Sequence, residues 1–138
     1  MLRIGLLGAG RIGRIHGVNV AAHPRARLAA IADASPPAAE ALAAATGSHV
    51  RDLDSIIEAR DIDAVVICTP TDLHAGLIER AARAGKAVFC EKPVDLDAGR
   101  IRECLQVVAA SAEKLGSKRR LKPIMRVAPV AATTSRHS

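Results

Sequence analysis

Apolar residues in this chain gather into short runs that alternate with segments of helical spacing. Each run holds about four to six apolar residues and ends at glycine or a polar residue, which is typical of buried strands. The strands predicted from these runs are Leu2–Leu7, Arg27–Ala32, a short extended piece at Val50, Ala64–Cys68, Ala87–Cys90 and Lys122–Val127. Pro123 favours an edge position for the last of them, because proline cannot donate a hydrogen bond to a neighbouring strand.

Helices are predicted between the strands from capping residues and from apolar positions three or four apart. Ser35 is a plausible N-cap followed by proline, and Gly47 and Gly85 stand where glycine ends a helix. The predicted helices are Arg11–Ala22, Pro36–Thr46, Asp54–Ala59, one capped by Asp72 and one capped by Asp97. Their expected apolar faces are Leu73, Leu77, Ile78 and Ala81 in the fourth helix, and Ile101, Leu105, Val108, Ala112 and Leu115 in the fifth.

Strict alternation of strand and helix with short links predicts an α/β fold with a doubly wound parallel sheet, the Rossmann architecture, and right-handed crossovers. We assign residues 1–127 to one dinucleotide-binding domain. Residues 128–138 show no periodicity and are predicted to be an irregular tail. A length of 138 residues suits a single hydrophobic core.

The net charge of +6 could indicate a nucleic-acid partner, but its distribution argues against one. Residues 1–112 contain 13 basic and 13 acidic side chains, so the excess lies in the last 26 residues. The basic segment Ser117–Lys122 resembles a nucleic-acid-binding patch, so nucleic-acid binding is kept as a hypothesis, but it is the least favoured one. Stacking platforms for single strands need aromatic side chains, and Phe89 is the only aromatic residue of the Phe, Tyr and Trp types.

Cysteine and hydropathy patterns bear on location. The three cysteines are an odd number without metal-ligand spacing, which favours a reduced, intracellular compartment and no metal. No apolar run reaches membrane-spanning length, and no secretory leader is evident. We therefore expect a cytoplasmic protein without a membrane partner.

The segment Gly8-Ala-Gly10-Arg-Ile-Gly13 follows the first strand and opens the first helix, as the dinucleotide-binding fingerprint requires. Gly8 would permit the tight turn, Gly10 would let a pyrophosphate approach the backbone, and Gly13 would let the helix pack closely on the strand. The helix N-terminus, including Arg11 and Ile12, would offer free N–H groups to the phosphates. The alternative is a plain strand-to-helix turn that uses glycine for positive φ.

Asp33 ends the second strand, 20 residues beyond Gly13. A carboxylate there accepts hydrogen bonds from the adenosine ribose and repels a 2′-phosphate. No basic residue follows within residues 34–37, so NAD is predicted over NADP. The alternative role for Asp33 is a helix N-cap, which Ser35 could serve equally well.

Two more strand ends carry polar segments, Thr69-Pro-Thr-Asp-Leu-His74 and Glu91-Lys-Pro93. Ligands of open α/β sheets bind beyond the carboxyl ends of the strands, so both segments should face the crevice of the glycine loop. Lys92 could relay a proton or stabilise an alkoxide there, or it could be an ordinary solvated lysine. His16, one turn past Gly13, is expected to have a packing or capping role.

The glycine segment extended to His16, the Thr69–His74 segment and Glu91-Lys-Pro93 together resemble the glucose–fructose oxidoreductase, inositol dehydrogenase and rhizopine catabolism (Gfo/Idh/MocA) family over about residues 1–112. The stretch Phe89–Asp97 most resembles the myo-inositol 2-dehydrogenases of that family. The resemblance implies that Thr69, Pro70, Thr71 and His74 lie near the nicotinamide ribose, with Glu91 on the cofactor side. It implies that Lys92 contacts substrate and takes part in proton transfer.

The resemblance also implies what this chain does not contain. Family members are over twice as long and have a second α/β domain with an Asp and a His that serve the substrate. The expected function is therefore the NAD-binding half of an oxidoreductase that oxidises a secondary alcohol of a cyclitol or sugar. The alternative is a truncated or frameshifted nucleotide-binding fragment without turnover. An apolar surface left for a second domain could also produce a homo-oligomer.

Overall fold

The computed structural model describes residues 1–115 and 125–128, which form a doubly wound parallel α/β fold. The strands are β1 (Leu2–Leu7), β2 (Ala26–Ala32), β3 (His49–Val50), β4 (Ala64–Ile67), β5 (Ala87–Glu91) and β6 (Met125–Ala128). The helices are α1 (Arg11–Ala22), α2 (Pro36–Thr46), α3 (Leu53–Glu58), α4 (His74–Arg83) and α5 (Ala98–Leu115).

The strand order is β3-β2-β1-β4-β5-β6, and all five pairings are parallel. The chain starts in the middle of the sheet, moves outward to β3, and then returns to β4 beside β1. The order reverses between β1 and β4, and ligands of such sheets bind at this switch point.

Successive side chains of a strand point to opposite faces of the sheet, so each strand contributes to two cores. Leu6 belongs to the buried cluster that includes Leu42 of α2, whereas Leu7 belongs to the cluster that includes Ile78 of α4. Both leucines are almost completely buried. Burial on both faces explains why these strands are apolar runs rather than alternating patterns.

Among residues 1–115 and 125–128, no helix covers the half of the sheet formed by β4 and β5 on the α1 side. Helices α1 and α2 contact β1, β2 and β3, whereas α4 and α5 lie on the opposite face. Val66 and Phe89 point to the α1 side, where they line a groove of about 640 Å³ that also includes Val20. The groove extends to the amino ends of the strands at Leu2 and Ala26, away from the glycine loop.

The capping predictions are mostly confirmed. Gly47 and Gly85 end their helices with φ of +73° and +81°. Ser35 is the N-cap of α2 by position, although its side chain makes no cap hydrogen bond. Asp97 caps α5 by accepting a hydrogen bond from the Gly99 amide at 3.0 Å. β6 lies at the edge of the sheet as Pro123 suggested, but positions 122–124 are outside the described residues.

Two helix predictions were wrong in detail. The prediction that Asp72 caps a helix fails because a single 3-10 turn, Thr71–Leu73, comes before α4 and leaves Leu73 48% exposed. In α5, Leu105 is 46% exposed and Cys104 is buried instead. The buried side therefore passes through positions 101, 104, 108 and 111, and the small Cys104 fits closely against α4. The predicted tail beyond position 128 lies outside the described residues.

Within residues 1–115 and 125–128, no helix is long and apolar enough to cross a membrane. The same part of the chain contains no group of three or more His, Cys, Asp or Glu side chains able to hold a metal ion.

Candidate dinucleotide-binding site

Two of the three loop glycines are required by the packing of the protein itself. Gly8 has a φ of +102°, and a Cβ there would lie 2.5 Å from the carbonyl oxygen of Cys68. A Cβ on Gly13 would lie 2.0 Å from the carbonyl oxygen of Gly8. These are contacts with backbone, so larger side chains cannot be accommodated without moving the chain. The glycines thus bring the start of α1 against the ends of β1 and β4.

Gly10 is different, because nothing in the part of the chain that the structure describes requires a glycine there. Its φ is −72°, which any residue adopts, and a Cβ would meet no atom within 4 Å. The interpretation of the segment as a plain turn accounts for Gly8 but not for Gly10. Gly10 is the N-cap of α1, and no side chain caps this helix. The first amides of a helix have no intrahelical partners, so this open space lies where an anion is favoured.

Asp33 joins the end of β2 to the glycine loop. Its Oδ2 accepts a hydrogen bond from the Ala9 amide at 2.6 Å, and its Oδ1 accepts one from the Ser35 amide at 2.7 Å. Each carboxylate oxygen can accept a second hydrogen bond, so acceptor capacity remains for a hydroxyl. The side chain therefore fixes the loop and still offers negative charge beside it.

The loop after β4 lies against the glycine loop and ends in a buried histidine. Thr69 contributes an amide near Gly8, and its Oγ1 is buried without a hydrogen-bond partner among the described residues. His74, the first residue of α4, is 2% exposed. Its Nε2 lies 2.7 Å from the Thr69 carbonyl oxygen, and its Nδ1 lies 2.8 Å from the Pro93 carbonyl oxygen.

The loop after β5 carries Glu91 and Lys92. Glu91 is hydrogen-bonded to Nε2 of His16, and His16 also packs edge-on against Phe89 with ring centroids 5.3 Å apart. This agrees with the packing role expected for His16. Lys92 is exposed, and the described residues give it no hydrogen bond or ion pair.

The predicted residues therefore do come together at the carboxyl ends of the strands. Asp33 connects to Ala9, Gly8 contacts Cys68, His74 connects the loops after β4 and β5, and Glu91 connects to α1. The sequence interpretation missed two of these connections, the His16–Glu91 pair and the bracing contacts of His74. The partners are 75 and 19 residues apart, and no local pattern indicates them.

A dinucleotide fits this arrangement on two observations. A Cβ on Gly10 would project into open space at the start of α1. No described protein atom lies within 4 Å of that position, so the glycine leaves room for a ligand and not for a protein neighbour. The Thr69 hydroxyl is a buried polar group without a partner, and such groups are unfavourable unless something satisfies them. One feature lies beside the end of β1 and the other at the end of β4, on the two sides of the switch point.

The cysteines near this edge are not nucleophiles. Burial raises the pKa of Cys68 to about 12, with a further contribution from the negative charge of Glu91. Burial likewise raises the pKa of Cys90 to about 12 and that of Cys104 to about 11. Since the thiolate is the reactive form, all three thiols should be inert at neutral pH.

We expect iodoacetamide at pH 8 to alkylate the folded chain at least roughly a hundredfold more slowly than the unfolded chain, whose thiols have an ordinary pKa near 8.5. Mass spectrometry of the three cysteine peptides with and without urea measures this difference. Rapid labelling of Cys68 in the folded protein would contradict the assignment of a buried, protonated thiol.

The fold and this edge define a Rossmann dinucleotide-binding domain. A family profile described as "Oxidoreductase family, NAD-binding Rossmann fold" (GFO_IDH_MocA) matches residues 2–118. The chain belongs to this oxidoreductase family, and it comprises the family's NAD-binding domain.

Individual relatives agree with this assignment. An inositol 2-dehydrogenase from Rhizobium meliloti is 62% identical over 124 residues, which are 88% of this chain and 38% of the relative. The solved scyllo-inositol dehydrogenase of Lactobacillus casei with bound NAD(H) and scyllo-inositol has a TM-score of 0.78 at 35% identity, covering 92% of this chain and 36% of that one. A myo-inositol dehydrogenase from Corynebacterium glutamicum has a TM-score of 0.75 at 43% identity, covering 83% and 34%. The chain thus spans somewhat more than a third of the length of its relatives.

Proposed function

We propose that the segment Gly8–Gly13 binds the pyrophosphate of NAD. The observation that carries this proposal is the unfilled space at Gly10 in front of an uncapped helix N-terminus. Backbone amides of Gly10, Arg11, Ile12 and Gly13 would donate hydrogen bonds to the phosphate oxygens, and the helix dipole favours their charge. Arg11 is exposed and Ile12 is half-buried, and we assign the phosphate contacts to their backbone amides.

We propose that Asp33 binds the ribose of the adenosine half and selects NAD. Its carboxylate is held next to the loop by the Ala9 amide, so its charge would stand close to a 2′-phosphate. The repulsion is the selective element, because residues 34–37, which directly follow Asp33, include no cation to offset it.

We propose that the nicotinamide half lies along the loops after β4 and β5. Thr69 would satisfy its buried hydroxyl there, with Pro70 and Thr71 beside it and with His74 and Glu91 holding the walls. Bound NAD would accept a hydride at C4 of its nicotinamide. Lys92, which is exposed at this edge, would in its neutral form accept the proton of the substrate hydroxyl and pass it to solvent, and as a cation it would stabilise the alkoxide that develops.

The substrate class we propose is a cyclitol or sugar with a secondary alcohol. The support is the similarity to inositol dehydrogenases of three organisms, one of them solved with scyllo-inositol. This activity belongs to the relatives at their full length, of which the chain spans somewhat more than a third. Assembly as a homo-oligomer and a cytoplasmic location stay predictions.

The test is a pair of titrations with NADH and NADPH. The chain has no Trp or Tyr, so fluorescence of the reduced cofactor can be followed without protein emission. We expect NADH to bind more tightly than NADPH, and we expect Asp33→Ala to narrow this gap because the substitution removes both the ribose acceptor and the repulsion.

Asp52→Ala is the matched control for Asp33→Ala. Asp52 also accepts a hydrogen bond from a backbone amide, that of Ser55 at 2.8 Å, but it caps α3. Its loss should lower stability without changing the cofactor preference. An equal affinity of the unmodified chain for the two cofactors, or an unchanged gap in Asp33→Ala, would refute the role of Asp33.

A further inference from the structure

We propose that His74 is a positioning residue that holds the loop of Thr69 and the loop of Lys92 together. This proposal rests on the function proposed above and assigns a role to a residue that need not touch the reacting groups. The two carbonyl oxygens on the His74 ring belong to Thr69 and Pro93, and Pro93 directly follows Lys92.

The geometry shows that the ring is fully committed to the backbone. Both ring nitrogens are within 2.8 Å of a carbonyl oxygen, and the residue is only 2% exposed. Carbonyl oxygens only accept hydrogen bonds, so a neutral ring, which has a single N–H, donates to one of them, and only a doubly protonated ring donates to both. Neither nitrogen is left to contact a ligand, which separates this role from direct binding of the cofactor.

The position of His74 explains what its contacts achieve. The loops after β4 and β5 leave adjacent strands whose register pairs Ile67 with Cys90. Beyond those residues the ladder of strand hydrogen bonds gives way to loops, and each loop carries a residue of the candidate site. His74 replaces the ladder with a side chain that joins the two backbones at the point where the nicotinamide half is proposed to lie.

A second histidine fixes the other flank of Lys92. His16 of α1 is hydrogen-bonded to Glu91, so Lys92 lies between two residues that are each anchored to a different element. The Lys92 side chain itself is exposed and has no partner among the described residues. The contacts of Glu91 and Pro93 therefore fix the backbone on both sides of Lys92, while the Lys92 ammonium group stays free to contact a substrate.

The test compares His74→Leu with His74→Gln in the full 138-residue chain. Leucine fills the buried space but donates no hydrogen bond, whereas glutamine keeps an N–H donor and should rescue part of the effect. The control is Leu77→Ala, because Leu77 is buried in the same helix and its apolar side chain cannot donate a hydrogen bond to either loop carbonyl. Circular dichroism establishes that each variant is folded, and His74→Gln carries the test if His74→Leu is not.

Two readouts distinguish positioning from general stability. The first is the order of the Lys92 amide in the free protein, measured by 15N relaxation. The second is the affinity for NAD divided by the affinity for ADP-ribose, which lacks the nicotinamide. We expect His74→Leu to disorder the Lys92 amide and to lower this ratio about three- to tenfold, the effect of one ordinary hydrogen bond. Leu77→Ala should change stability only.

The proposal is overturned if folded His74→Leu leaves both the Lys92 amide and the affinity ratio as they are in the unmodified chain. It is also overturned if His74→Gln, which keeps a donor, disorders the Lys92 amide and lowers the ratio by the full amount expected of the leucine variant. It is also overturned if Leu77→Ala changes both readouts equally, because the effect would then follow stability. Failure of the proposed function would give a different result, because the unmodified chain would then not bind NAD at all. The 15N relaxation of the Lys92 amide would still test whether His74 holds the two loops together.

Discussion

Gly10→Val should abolish NAD binding while leaving the fold intact. The valine Cβ meets no protein atom within 4 Å, and the backbone at Gly10 is in a region open to every residue. Its branched side chain would instead occupy the space proposed for the pyrophosphate. Two hydrogen bonds between amides and a charged phosphate are worth about 3–6 kcal/mol together, so the affinity should fall on the order of 100-fold or more.

Gly76→Val is the matched control for this experiment. Gly76 is an exposed glycine of α4 whose Cβ would also meet nothing within 4 Å, but it is outside the candidate site. Titration with NADH should therefore give the affinity of the unmodified chain. Gly10→Val that binds NADH as well as Gly76→Val does would show that the pyrophosphate is not at the glycine loop.

The sequence was sufficient to predict the order of strands and helices and the meeting of the predicted polar segments at one edge of the sheet. The glycine loop, the strand ends and the helix caps can be recognised in the sequence, because each depends on residues only a few positions apart. Alternation of strand and helix then leaves few possible topologies, since crossovers are right-handed. The structure confirms the parallel sheet, with β1 beside β4 where the order reverses.

The parts that the sequence did not predict depend on contacts between distant segments. The local pattern suggested Leu105 as the buried residue of α5, but packing against α4 selects Cys104, whose thiol approaches the Ala75 carbonyl oxygen. His74 was predicted to lie near the cofactor, and this stays a prediction; the structure places His74 between the loops after β4 and β5. Its burial between two carbonyl groups could not be predicted, because Thr69 and Pro93 meet only once β4 and β5 are paired.

Gly10 and Gly13 belong to one motif but have different roles. The sequence assigned close packing to Gly13 and cofactor approach to Gly10, and the distances from their hypothetical Cβ atoms agree with this division. Substitutions should therefore separate the two roles: a change at Gly13 should lower stability and with it binding, whereas a change at Gly10 should lower binding alone.

Gly13→Ala should destabilise the protein, in contrast to Gly10→Ala. Its methyl group would lie 2.0 Å from the Gly8 carbonyl oxygen and 2.7 Å from the Gly8 carbonyl carbon, so α1 must move away from the end of β1. Overpacking of this kind costs about 1–3 kcal/mol of unfolding free energy. Moving α1 also displaces the amides proposed to bind phosphate, so the NADH affinity should fall as well.

Urea unfolding followed by far-ultraviolet circular dichroism measures the first effect, since the chain has no Trp to report on folding. Gly10→Ala is the control, because it adds the same methyl group three residues earlier, where no atom lies within 4 Å. We expect a lower urea midpoint for Gly13→Ala and an unchanged midpoint for Gly10→Ala. Equal midpoints for the two variants would mean that α1 does not depend on the close approach at Gly13, and the division of roles within the loop would have to be abandoned.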